Sequence, residues 1–154
     1  MRRRLAVVLC ALTALGAAPP MKPVLTPVAS PLAPAVARVK WIEQRASGRD
    51  TTGLVPALLH DRSLSTRAAA ARALGLVQDW ATVPALVLAL GDRSATVRRE
   101  AAFALGLMGD TTAVPAVASR WEKEIDAGAR ETMVTALGYL GAQAGAPAVA
   151  RAPS

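Results

Sequence analysis

Between Ala35 and Ser47 apolar residues fall at Val36, Val39, Ile42 and Ala46, with Trp41 beside them. Arg38, Lys40, Glu43 and Arg45 fill the other turns. That spacing is one face of a helix, and Ser47-Gly48 ends it, so a single N-terminal helix is predicted over 35–49. From Thr51 onward a longer pattern recurs. In one copy Leu86, Val87 and Leu90 form a short apolar stripe, a turn follows at Gly91-Asp92, and Val97, Ala101, Ala102, Leu105 and Met108 form a second stripe. Neither stripe can be buried by its own helix, so neighbouring units must stack.

Several markers keep one period. Arg67, Arg98 and Arg130 are spaced by 31 and 32 residues, as are the Ala-Leu-Gly triplets that begin at Ala73, Ala104 and Ala136. Val83-Pro84-Ala85 and Val114-Pro115-Ala116 are 31 apart, and Ala146-Pro147-Ala148 follows 32 later. Val55-Pro56-Ala57 comes only 28 before its counterpart, which predicts a first loop shorter by about a turn. Independent markers sharing a period identify a repeat array, assigned here to 50–154. Each unit opens a helix near its Val-Pro-Ala step, where proline costs little because first-turn N–H groups are free. Asp79 and Asp110 are candidate caps for those starts. Gly75, Gly106 and Gly138 recur inside the second helices, where a missing side chain lets helices approach.

These residues resemble the HEAT-like repeats of the type named for phycobilisome lyases. The likeness rests on Asp92, Val97-Arg98, Ala101-Ala102, Ala104-Leu105-Gly106, Gly109-Asp110 and Ala113-Val114-Pro115-Ala116. The first copy departs with Gln78 in place of Gly109, and the third carries Ala142 where Asp79 and Asp110 stand. The resemblance implies an all-α fold, a short α-solenoid of about three antiparallel helix pairs, and a surface that binds other proteins. Composition agrees: 53% of residues are hydrophobic but only 3% aromatic, so the core is built from Ala, Leu and Val. Closely packed helices suit that mixture better than a sandwich of strands.

The net charge of +7 suggests nucleic acid until it is located. Residues 54–150 hold nine basic and nine acidic side chains, so the surplus sits upstream, beginning with Arg2, Arg3 and Arg4. The repeats make no case for a nucleic-acid partner. Arg2–Arg4, the apolar run from Leu5 to about Ala18 and the small pair Ala14 and Gly16 read as a secretory signal over 1–16. The run is too short to span a bilayer comfortably, so no stable membrane span is expected after cleavage. Residues 17–34 hold six prolines and read as an extended linker. Export to a bacterial periplasm or beyond is the expected localisation. Cys10, the sole cysteine, leaves with the signal.

Candidate chemistry is sparse. Metal-dependent deoxyhypusine hydroxylases of this repeat class use several His-Glu pairs. His60 is the single histidine here and is followed by Asp61, so neither a metal site nor a cofactor is expected. A phycobilin-lyase role fits an exported chain poorly, and no nucleophile set or phosphate loop is present. Arg67, Arg98 and Arg130 stack at one helix position. They read either as ties to acids such as Asp61 and Asp92, within or between repeats, or as a basic strip with Arg99 for an acidic partner. Trp80 replaces Thr111 at a turn and is either edge packing or an interface anchor. Trp121 replaces the core-type Leu90 and is expected inside. A non-catalytic scaffold for a protein partner is the expected function. A structural or regulatory subunit completing a larger solenoid or complex is the alternative, and the open C-terminal repeat also offers a route to self-association.

Overall fold

The computed structural model describes residues 33–145. The signal over 1–16, nearly all of the proline-rich 17–34 and the step Ala146-Pro147-Ala148 lie outside the described residues. Within 33–145 there is no strand, and the helices are α1 Ala35–Ser47, α2 Leu54–His60, α3 Leu64–Val77, α4 Val83–Ala89, α5 Ala95–Met108, α6 Val114–Lys123 and α7 Ala127–Gly145. Short turns fold α2 onto α3, α4 onto α5 and α6 onto α7. The longer helices α3, α5 and α7 then pack side by side as one layer, with α2, α4 and α6 forming the other. Three stacked hairpins make the expected short α-solenoid.

Local chemistry sets the boundaries. Pro84 and Pro115 occupy the first turns of α4 and α6. Asp79 and Asp110 cap one step earlier than the helices themselves: each accepts the N–H two residues on, from Ala81 at 3.1 Å and Thr112 at 2.9 Å, fixing a single 3-10 turn that leads into the helix. At the other end of the unit Gln78 and Gly109 sit in the left-handed region and stop α3 and α5. Gln78 is an unusual occupant of that region, and its side chain donates to the Leu107 carbonyl at 2.9 Å, tying its unit to the next. The third unit lacks this punctuation. With Ala142 in the aspartate position, α7 runs on through Gly141 to Gly145.

The core is built largely from small residues and leucines. Ala70, Ala71, Ala101 and Ala102 are buried between the long helices, while Leu54, Leu74, Leu86 and Leu105 fill the space under the short ones. Helix contact is closest at the recurrent glycines. A Cβ built on Gly75 would lie 2.6 Å from both Cα and Cβ of Ala104, and one on Gly106 would lie 3.1 Å from Cα of Ala136. The first two glycines therefore serve close packing as expected, whereas a Cβ on the third, Gly138, would meet nothing within 4 Å among the described residues.

The helix over 35–47 is more than a lead-in. It packs on α3 as α3 packs on α5, and its residues keep the repeat register: Arg38 aligns with Arg67, Trp41 with Ala70, and Ala46 with Gly75. It is the inner helix of a preceding unit. Trp41 and Ile42 join the common core, and Gly53 has φ 80° with its Cβ direction blocked 2.8 Å away by the Trp41 ring. The shortening of the first unit falls at the end of its outer helix and the following turn. Val55 precedes Asp61 by six residues where Val83 precedes Asp92 by nine.

Candidate functional site

The recurrent arginines are the most organised polar feature, and they resolve into a ladder that crosses the joints between units. Arg38 binds Asp61 at 2.8 Å, Arg67 binds Asp92 through two bonds of 2.7 and 2.9 Å, and Arg98 binds Glu124 through two of 2.7 and 2.6 Å. Each acid belongs to the turn of the following unit. Within its own unit an arginine holds the backbone instead: Arg67 donates to the Asp61 carbonyl and Arg98 to the Asp92 carbonyl, both at 2.9 Å. A guanidinium fork is suited to this double duty. The acids are equally committed. Asp61 and Asp92 each accept the N–H of the serine two residues on at 2.8 Å, and Glu124 accepts those of Ile125 and Asp126 at 3.0 Å.

Protonation follows from this geometry. The Arg98 hydrogen bond, opposed by burial and helped by Arg120, holds the Glu124 carboxyl down to about 2. Burial pushes Asp92 upward, but the hydrogen bonds from Arg67 and Ser94 outweigh it and leave the group below its ordinary value. Arg67 and Arg98 are raised in turn by their bonds to these acids. Glu124 escaped the sequence reading. It lies six residues before Arg130, as Asp61 and Asp92 lie six before Arg67 and Arg98, and the Asp-to-Glu change hid the match.

Arg67 and Arg98 are therefore buried, with only 4% and 7% of their surfaces exposed, and do not form an outward basic strip. Arg99 and Arg130 are exposed. Arg130 stands in the ladder register, yet its guanidinium lies 4.9 Å over the ring of Trp121 and meets no carboxylate among the described residues. Trp121 is half-buried rather than fully inside. Trp80 is 54% exposed on its 3-10 turn, which places the indole outward. His60, the last residue of α2, is exposed.

Sequence reasoning also missed an apolar row on the open side of the long-helix layer. Leu76, Leu107 and Tyr139 occupy one register on α3, α5 and α7. Leu76 and Tyr139 are 62% and 56% exposed, and Phe103, one turn before Leu107, is exposed as well. Tyr139 lies against Gly106, since a Cβ there would sit 3.6 Å from its ring. Arg72 stacks 5.9 Å over Phe103 while holding Glu100 by two bonds of 3.0 Å. The signal was present in the period, but a helix whose apolar residues run nearly all round conceals which of them face solvent.

No helix among the described residues is long and apolar enough to cross a membrane. A family model described as HEAT repeats matches residues 51–138, more than half of the chain. The match is to HEAT repeats at large and does not reach the phycobilisome-lyase type. No curated protein matches the chain.

Proposed function

Because the chain belongs to the HEAT-repeat family, whose arrays build protein-binding surfaces, we propose that it is a non-catalytic scaffold of the bacterial envelope. It holds a protein partner on the open side of its long-helix layer. The observation that carries this reading is the row Leu76, Leu107 and Tyr139, in register across three helices, with Phe103 one turn before Leu107; Leu76, Phe103 and Tyr139 are turned to solvent and Leu107 is half-buried among them. Isolated exposed apolar residues are ordinary, but an aligned row bordered by charge is how interaction patches are made. Trp80 and Arg99 are the further anchors proposed around it. Export is supported by Arg2–Arg4 and the apolar run after them.

The test is co-purification from the envelope fraction with full-length chain against L76S/Y139S. Both side chains are more than half exposed, so the double variant should keep its circular dichroism spectrum and melting temperature while losing the captured partner. Undiminished capture of the same protein by the variant would remove this face from the proposal. Stoichiometric bound metal in the purified chain would count against a non-catalytic role. A second reading, a structural unit of a larger helical assembly, is favoured by the open face of α7.

A further inference from the structure

Each long helix has a face that receives the next unit, and the joints nearest α7, α3 with α5 and α5 with α7, show what that face requires. On α3 and α5 that face offers an arginine for the turn of the next unit, a buried alanine, and a glycine against which the next helix lays an alanine: Arg67, Ala71 and Gly75, then Arg98, Ala102 and Gly106. On α7 the same register holds Arg130, Val134 and Gly138. All three are open. Arg130 meets no carboxylate among the described residues, Val134 is 52% exposed where Ala71 and Ala102 are fully buried, and a Cβ on Gly138 would meet nothing within 4 Å among the described residues. One face thus carries a cation, an apolar ridge and a slot in the spacing of a joint.

We infer that the α7 face is a docking site for a helical hairpin of another protein, one that carries an aspartate or glutamate in its turn and an alanine or glycine opposite Gly138. This deepens, and rests on, the reading of the chain as a protein-binding scaffold. The charge rules decide between occupants. Residues 146–154 contain no acidic side chain. A second copy stacked head to tail would bring α1, which exposes Lys40, Glu43 and Gln44; Glu43 holds the register of Phe103, which meets Arg72 and not Arg67, and the position six before Arg38 is Leu32. Neither supplies what Arg130 lacks, so an acidic-turn hairpin from another chain is the complementary partner. The stacked Trp121 keeps the cation in place meanwhile.

The probe is a labelled peptide of residues 79–109, the hairpin that already seats on α3 through Asp92 and Ala104. It is titrated by fluorescence anisotropy against the full-length chain. Submillimolar binding is expected, weakened at least tenfold by Arg130→Ala and by Asp92→Asn in the peptide, with the two losses not adding. Gly138→Leu, whose Cβ meets none of the described residues, should weaken binding at least tenfold while leaving the melting temperature unlowered. If the peptide is silent, a copy of residues 79–108 fused after Gly141 decides. It should raise the urea midpoint, and Arg130→Ala should cancel the effect of the copied Asp→Asn. Uncoupled changes in the fusion, or peptide binding indifferent to Gly138→Leu, would overturn the inference. So would peptide binding only after removal of residues 146–154, or a full-length dimer abolished by Gly138→Leu, since the occupant is then the tail or a second copy. A partner still captured through Leu76 and Tyr139 would leave the broader proposal standing despite such a result.

Discussion

Gly75, Gly106 and Gly138 offer one substitution in three registers of identical sequence and different surroundings. Replacing a helical glycine by alanine gains about 1 kcal/mol from backbone entropy. At Gly138 no described residue opposes it, because the added methyl group meets nothing within 4 Å among them. G138A should therefore stabilise the free chain by about 0.5–1 kcal/mol. At Gly106 the methyl lies 3.1 Å from Cα and 3.2 Å from Cβ of Ala136, a few tenths of an ångström tighter than ordinary contact. The local give should offset the gain and leave G106A near the wild type. At Gly75 the methyl falls 2.6 Å from Cα of Ala104. A backbone atom cannot rotate aside, so α5 must move off α3 by roughly 1 Å and loosen contacts along the joint. Overpacking of this kind costs about 1–3 kcal/mol and more when backbone moves, so G75A should be destabilised by about 2 kcal/mol net. With a urea slope of about 1–3 kcal/mol per molar, the midpoint should drop by about 1 M. Circular dichroism in urea on the four proteins measures the order G138A, wild type with G106A, then G75A. Partial recovery of G75A by A104G is expected. Three variants shifting together, or G75A as stable as the wild type, would refute the claim that the α3–α5 spacing is set by this contact.

Four further outcomes follow from the ladder and from α1. Removing one partner of a buried ion pair costs about 3–5 kcal/mol, so R98A should unfold far more readily than R72A. Arg72 holds Glu100 with a side chain 59% exposed, and its loss should cost no more than about 1 kcal/mol; thermal melts compare the two. The Glu124 carboxyl lies near 2 in the folded chain against an ordinary 4.5, so its stabilisation is present above 4.5 and is lost as pH falls through about 2. Urea curves between pH 6 and 2 should show E124Q with a flatter acid limb, by an amount on the order of 3 kcal/mol. Trp41 is buried against α3, and W41A should cost about 3–5 kcal/mol, whereas a helix outside the array would tolerate the change.

Much of the fold was legible because a period of 31 or 32 residues needs no structure to be counted. Punctuation was legible too, at Pro84, Pro115 and Gly109. Two things were not. α1 looks like a separate helix in sequence because its register positions carry Trp41 and Ile42 where the repeats carry Ala70 and Ala71. The larger side chains are buried in the common core all the same, so identity is lost while packing is kept. The direction of the arginine ties was also open, since Asp61 and Asp92 stand equally near their own arginine in sequence. Only the fold shows that the forward reach, 25 residues from Arg67 to Asp92, is the shorter one in space. The site was the least legible part. Arg67 and Arg98 look as surface-like in sequence as Arg99 and Arg130, and burial separates the first pair from the second.

Forward pairing also puts the joints in a fixed order during synthesis. Arg38, Arg67 and Arg98 emerge from the ribosome 23, 25 and 26 residues before the acids they bind. At about 5–20 residues per second each cation waits on the order of one to five seconds for its carboxylate. Each of these three joints is therefore sealed from its C-terminal side, and the growing end is the unsealed one. A ribosome that stalls before the turn of a unit leaves the unit before it unlatched, which is the state in which a nascent-chain binder would find it.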